Sequence, residues 1–431
     1  VGRSVSETAH EPSRPSSMNL GTSASVQSER ATVTFVPKWI RPAAIVGVAA
    51  LAAGCATDAP QDTTQPAGPN AQMIYNLSWP IFLIAGVVGV IVMVAVGYAV
   101  WKFRDRGQPI PEQTHGNPKL EITLTIIPAL ILIGVAIPTV ATVMALDETD
   151  DTECIVNVTG QQWWWEMDYP VQDGCGGVSA PIVTSGQMVI PTETPVLIRG
   201  TSRDVIHSFW IPRLNGKRDM VPGRTHNLRM EADEPGIYAG QCAEFCGLSH
   251  ANMRMEVVAM EPDDFEAWKA KQLSEYESPA EGTLAATGEQ TFITNCSRCH
   301  VIDGLTDSDG EPVISRADQQ VYAGVAPHLS WFKTRNTFAG ATWDLLTATC
   351  RDDVRDAAPA DFGERYLEGV SEECLNQVDL REWLRNSPEK KPMYADPEQL
   401  EPTDGLFRGM PYLALSEAQI DELVAYLLER K

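Results

Sequence analysis

Basic residues are scarce in this chain. Its 431 residues carry 33 Lys and Arg against 57 Asp and Glu, a formal net charge of −24. That deficit argues against nucleic acid as a partner and for a solvated acidic surface able to steer a basic soluble protein. Charge is missing altogether from residues 81–100 and 122–146. Each stretch is long enough to cross a bilayer, so two buried helices of a soluble domain are disfavoured. The length allows two or more further domains, each with its own core.

The link between the spans carries Lys102, Arg104, Arg106 and Lys119, whereas the second span is followed by Asp147, Glu148, Asp150 and Asp151. The excess of positive charge places the link in the cytoplasm and both termini outside a bacterial cell membrane. Trp79 and Trp101 bracket the first span as interfacial anchors. A processed export leader is expected over 1–54. Arg30, Lys38 and Arg41 precede an apolar run that ends Leu51-Ala-Ala-Gly-Cys55, so Cys55 is a candidate lipidated residue. An uncleaved third span is the alternative. Residues 55–78 are expected to form an extracytoplasmic linker, because Thr, Pro, Gln and Gly dominate 57–72.

The chemistry concentrates in Gln241-Cys-Ala-Glu-Phe-Cys-Gly-Leu-Ser-His-Ala-Asn-Met253. Two thiols, an imidazole and a thioether in a loop of this length form a soft-metal site. They favour copper over zinc, since zinc rarely uses a thioether. His207, on the preceding apolar stretch, adds a second imidazole. A structural Cys2His2 zinc site is the rival and would leave Met253 idle. Short β-like runs between Gly, Pro and Asp turns surround the loop, including 154–159, 188–190, 195–198 and 253–260. They predict a Greek-key sandwich or barrel over 147–262.

The hairpin, the motif Gly160-Gln-Gln-Trp-Trp-Trp-Glu-Met-Asp-Tyr-Pro170 and the copper loop together resemble subunit II of a haem–copper cytochrome c oxidase. The resemblance implies a cupredoxin-like fold and a dinuclear copper centre, CuA. It implies ligation by His207, Cys242, Cys246, His250, Met253 and the Glu244 carbonyl, with both thiolates bridging. It further implies that the Glu244 side chain binds Mg or Mn beside subunit I, with Asp204, Asp219 and Arg224 in the adjoining polar cluster. Trp163 would pass electrons to copper, and Glu121 would stand at a proton-channel mouth. Aromatic side chains in strands are ordinarily core, but three in succession must point to both faces, so one of Trp163 to Trp165 is expected at a surface or interface. Subunit I (haem a and CuB) and subunit III are the implied partners.

A second redox motif follows. Cys296-Ser-Arg-Cys299-His300 is the covalent haem c attachment pattern, with His300 as an iron ligand. Met410 stands shortly before the capping box Ser416-Glu-Ala-Gln419 and a last amphipathic helix, so it is the expected sixth ligand. Met393 and His328 compete for that place. An all-α cytochrome c domain is therefore expected over 284–431, after a charged linker at 263–283. Acidic stretches at 307–320 and 351–373 read as surface insertions.

Of nine Cys, four remain after copper, haem and Cys55 are served. Three pairings are open; location within one domain favours Cys154–Cys175 and Cys350–Cys374, and free thiols are the other option. The whole describes a caa-type oxidase subunit II. Electrons would come from a cytochrome c or a bc-type complex to haem c, pass to CuA and leave for haem a, with oxygen reduction and proton pumping in the complex. A quinol oxidase subunit would lack the copper ligands, and a nitrous oxide reductase would need a propeller domain for which there is no room. A membrane-tethered electron carrier or copper-delivery lipoprotein working alone is the remaining alternative.

Overall fold

A computed structural model describes residues 59–429, apart from 108, 110, 111, 113, 114, 150, 151, 153, 172–174, 307, 308, 312, 314–325 and 395–407. The leader, Cys55 and most of the 307–320 segment lie outside the described residues.

Two long helices come first. α1 spans Pro69–Lys102 and α2 spans Pro118–Leu146, each with proline in its first turn where no amide partner is lost. Asn117 caps α2: its side chain accepts the Leu120 amide, and Glu121 Oε1 accepts the Asn117 amide at 3.1 Å. Their apolar side chains face outward, with Phe82 70% and Leu132 68% exposed. A bilayer suits such helices and water does not, because the outward face is apolar, while the helix bonds most of its own backbone polar groups.

The expected linker at 55–78 is only partly a tether. α1 starts twelve residues ahead of the first uncharged stretch. The residues before it are stitched to the β domain: the Ala67 amide donates to the Arg213 carbonyl at 2.8 Å, and the Asp233 amide to the Ala67 carbonyl at 2.9 Å. Asn70 is fully buried and accepts from Arg229 at 2.7 Å. Polar composition hid these contacts, since they use main chain and one buried amide.

The β domain is a sandwich of two five-stranded sheets. One runs β3 (Ile182–Ser185), β2 (Trp164–Tyr169), β1 (Cys154–Gln161), β5 (Val196–Ser202), β8 (His226–Met230); the other runs β4 (Gln187–Pro191), β10 (Arg254–Met260), β9 (Gly236–Cys242), β6 (His207–Trp210), β7 (Arg218–Met220). β1 (Cys154–Gln161) alternates buried and half-buried positions, the pattern of a strand with one face in the core. Val156, Val158, Met167, Ile190, Ile198, Phe209, Val257 and their neighbours fill the space between the sheets. Three strands and the ends of two loops matter for function: β6 (His207–Trp210), β9 (Gly236–Cys242) and β10 (Arg254–Met260) lie side by side.

The expected linker at 263–283 is also not free. Its first half is α3 (Pro262–Gln272), whose Phe265 and Trp268 are buried against the sandwich, Trp268 ring 5.3 Å from Tyr169. Lys269 Nζ donates to the Cys175 carbonyl at 2.8 Å. Apart from the buried Lys269, most of the charged residues that suggested a linker lie on the outer face.

The C-terminal region is helical apart from a ladder two residues long on each strand, Thr337–Phe338 with Trp343–Asp344. α4 (Leu284–Asn295) packs on the last helix, α9 (Glu417–Glu429), through Phe292, Ile420, Leu423 and Leu427. Gly288 permits the crossing, since a Cβ there would sit 2.0 Å from the Glu422 carbonyl oxygen. The stretch 351–373, expected as a surface insertion, instead forms α5 (Ala348–Arg355) and α6 (Pro359–Glu368). Phe362 and Tyr366 of α6 are buried in the same cluster as the sandwich core. Their i, i+4 spacing is one apolar stripe on an otherwise acidic helix, which composition averages away. Cys154 is bonded to Cys175 and Cys350 to Cys374.

Candidate metal centre

The sandwich gathers soft donors from strand ends. His207 opens β6 opposite Met220, and Cys242 closes β9 opposite Phe209. The loop that follows is clamped at its base: the Cys242 amide donates to the Met253 carbonyl and the Ala243 amide to Ser208, both at 2.9 Å. A short 3-10 turn, His250–Asn252, brings the loop back into β10. Gly160 leaves room for His207, because a Cβ there would meet the imidazole at 2.8 Å. Gly247, at φ +111°, adopts a backbone conformation that favours glycine.

The result is a compact donor cluster. The two thiol sulfurs are 3.8 Å apart. Cys242 Sγ lies 3.9 Å from His207 Nδ1 and 3.2 Å from the Glu244 carbonyl. Cys246 Sγ lies 3.5 Å from His250 Nδ1 and 3.7 Å from Met253 Sδ. His207 and Met253 are fully buried, and both thiols nearly so. Two imidazoles, two thiols, a thioether and a carbonyl fit a pair of copper ions bridged by sulfur, and they fit a single zinc poorly.

Electrostatics favours thiolate formation. A hydrogen bond from the Cys246 thiol holds the Cys242 thiol down at about 4 against its burial, while Cys246 is pushed up by the same pairing. The pair therefore releases its first proton readily, which metal binding requires. Burial would lower His207, but its hydrogen bond to Asp204 and the neighbouring Cys242 raise it overall. Asp204 Oδ1 meets His207 Nε2 at 2.9 Å, and Asp204 also accepts the Gln162 and Val205 amides. This fixes the ring with Nδ1 toward the thiols.

Residues 154–260 match the family model described as cytochrome C oxidase subunit II, periplasmic domain, and residues 57–142 match that for its transmembrane domain. Subunit 2 of cytochrome c oxidase from Alkalihalophilus pseudofirmus is 37% identical over 63% of this chain and 79% of the relative. The subunit 2 from Bacillus sp. strain PS3 is 31% identical over 89% of this chain and 95% of the relative. This chain belongs to the cytochrome c oxidase subunit II family. A solved periplasmic domain of subunit II from Bradyrhizobium japonicum is 26% identical over 29% of this chain and 96% of that one, with a TM-score of 0.27. As a subunit II, the chain is a membrane protein with a periplasmic, copper-binding CuA-type domain. It is part of a respiratory oxidase complex and associates with subunit I.

The other predicted residues of this subunit II fall in several places. All three tryptophans are buried. Trp163 Nε1 donates to the Cys246 carbonyl at 3.0 Å, joined there by Gln162 Nε2 at 2.8 Å. The expectation that one of the three would lie at a surface or interface is corrected: the Trp163 ring packs 5.2 Å from that of Tyr394, so the C-terminal region covers it. Glu244 is exposed, as are Asp219 on β7 (Arg218–Met220) and Arg224. Glu121 is exposed at the start of α2, more than 80 positions from the copper loop in sequence and not in contact with it.

The haem motif forms a turn at the end of α4. The Cys299 and His300 amides both donate to the Cys296 carbonyl, at 3.0 and 2.9 Å. Cys296 is buried and Cys299 exposed, and neither is in a disulfide. His300 Nδ1 donates to the Pro327 carbonyl at 2.7 Å, which leaves Nε2 as the basic atom for a metal. Two free thiols and an oriented imidazole fit covalent haem. His328 Nε2 faces Asp303 at 3.2 Å. Met410 is half-buried between the two core clusters, and the Ser387 hydroxyl donates to its carbonyl at 3.0 Å. Met393 is buried in the sandwich-side cluster.

Sequence reasoning missed Lys391, Tyr394 and Arg408, which reach the copper site from the C-terminal region. Lys391 Nζ donates to the Trp163 and Ala339 carbonyls, both at 2.8 Å, and burial brings its ammonium down to about 7. Arg408 Nε lies 3.8 Å from Asp204. No motif signals such contacts, because each depends on a fold-level return of the chain.

Proposed function

We propose that this chain takes electrons at a covalently bound haem c and delivers them through CuA to haem a of subunit I. The observation that carries the proposal is the clustering of donors around two thiols 3.8 Å apart: the His207, Glu244 carbonyl, His250 and Met253 donors each lie 3.2 to 3.9 Å from the sulfur of Cys242 or Cys246. These residues would hold the copper pair. The pair supplies one-electron chemistry at low reorganisation cost, because the charge is shared across the two thiolates. The chain's part is to orient and shield. Asp204 aims His207, the clamped loop fixes both thiols, and burial of Met253 and the thiols keeps water away.

For haem c, Cys296 and Cys299 would form the thioethers, with His300 and Met410 on the iron. A thioether ligand raises the potential above that of a bis-imidazole haem. The side chain of His328 is already engaged by Asp303, which favours Met410 over it. Alignment with the Bacillus sp. relative over 89% of this chain extends past the copper domain into this region. The reading keeps domain limits near 147–262 and 284–431, with α3 packed on the sandwich.

Exposed Phe245, Leu248, Val205 and Ile206 rim the copper loop and suit burial against subunit I. Glu244, solvent-facing beside them, would offer its carboxylate to Mg or Mn at that junction. Glu121 would admit protons at the cytoplasmic face, with residues 103–117 cytoplasmic and both termini outside. Subunit III, a soluble cytochrome c or bc-type donor, proton pumping, an export leader and acylation of Cys55 complete the reading. Metal analysis with EPR and a pyridine haemochrome assay tests it. Two coppers and one haem c per chain are expected; zinc without copper would sink it.

A further inference from the structure

Trp163 is covered by its own chain. Residues 387–394 cross from the C-terminal region onto the copper loop. Lys391, 3% exposed, is held by two main-chain oxygens, one of them that of Trp163. Next to it the Ser249 hydroxyl of the copper loop donates to the Pro392 carbonyl. The Tyr394 ring then lies 5.2 Å from the Trp163 ring, tilted by 48°, a normal aromatic pairing. Tyr394 also faces the other way. The Arg408 amide donates to its carbonyl at 2.8 Å in an isolated antiparallel bridge, two residues before Met410. Tyr394 is thus one ring away from a side chain bonded to Cys246, and one backbone bond away from the segment that carries Met410.

We propose that Tyr394 is a positioning residue for electron delivery: with Trp163 it forms a two-ring bridge between the C-terminal region and the copper loop, and it closes the surface through which a separate protein would reach Trp163. The proposal rests on the reading that the C-terminal region holds haem c. One electron leaves ferrous iron and arrives at the oxidised copper pair; no bond forms or breaks and no proton moves. The ring, not the hydroxyl, is the working part. Lys391 pins the strap so that the rings stay in contact.

The test uses the intact oxidase complex with Tyr394→Leu and Tyr394→Phe. Two rates of copper reduction are followed: from photoreduced haem c, and directly from photoexcited tris-bipyridine ruthenium(II), a small external cation. Tyr394→Leu is expected to slow the first several-fold and to speed the second, with copper EPR and haem spectra unchanged. Tyr394→Phe is expected to match the parent in both. Equal rates in parent and Tyr394→Leu would overturn the proposal. Should Tyr394→Leu fail to fold, Lys391→Met frees the strap while keeping the ring, and the same two rates decide. A haemochrome assay on the same sample separates failure of the haem reading, and the ruthenium arm still reads the cover.

Discussion

The copper loop and the Cys296–His300 turn, proposed to hold haem c, are built by opposite designs. The copper donors come from two strand ends and one loop, and the hydrogen-bonded sheets hold them together. The haem donors sit in one local turn, Cys296 to His300, while Met410 returns from far along the chain. The copper site thus stores its geometry in hydrogen-bonded sheets, which resist change when the charge on the metal changes. The proposed haem site would store little, and covalent attachment would supply what the backbone does not. Asp204 beneath His207 and Pro327 beneath His300 are the shared element: each fixes a ring through its remote nitrogen.

Breaking one centre should therefore spare the other. Cys246→Ser removes one of the two thiols that would hold the copper pair and should abolish the copper EPR signal, while the haem optical spectrum stays intact. Met410→Ala should turn the haem high-spin or lower its potential, leaving copper content at the parental value; an unchanged spectrum would redirect attention to Met393. The seam between the regions can be probed through Glu256 on β10, which Thr337 of the C-terminal region contacts at 3.4 Å. Burial, then repulsion from Asp344, lifts its carboxyl from 4.5 to about 7. The folded state holds this proton more tightly than the unfolded one, so stability falls as pH rises from 4.5 to 7 and is level beyond. Glu256→Gln should remove that loss and stabilise the protein by on the order of 2 kcal/mol at pH 8, with no gain at pH 4, by thermal melts. The smallest structural effect belongs to Glu121→Gln, which keeps an acceptor for the Asn117 amide. Turnover should slow while both metal spectra stay put; unchanged turnover would count against a proton role.

What the sequence revealed was local. The two uncharged stretches, Cys242 to Met253 and Cys296 to His300 announce themselves by composition or fixed spacing. His207 was legible as a second imidazole on the preceding apolar stretch, but its hydrogen bond to Asp204 was not. The contacts of Lys391, Tyr394 and Arg408 were not legible, because nothing near them in the chain distinguishes a buried strap from a surface loop. Polar composition misled in three places for one reason. The stretches 57–72, 263–272 and 351–373 each carry a few anchoring groups, such as Asn70, Trp268 or Phe362, among many solvated ones. Average polarity counts the second kind and misses the first.

α1 deserves a mechanical reading. Its 34 residues extend about 51 Å at a rise of about 1.5 Å each, against a hydrocarbon layer of about 30 Å. The surplus turns do not wave free: Asn70 is bonded to Arg229, and a Cβ on Gly68 would strike the Glu231 carbonyl at 2.1 Å. The helix is a post set into the base of the sandwich. A tilt at its start would have to carry Arg229 and Glu231 of the β domain with it.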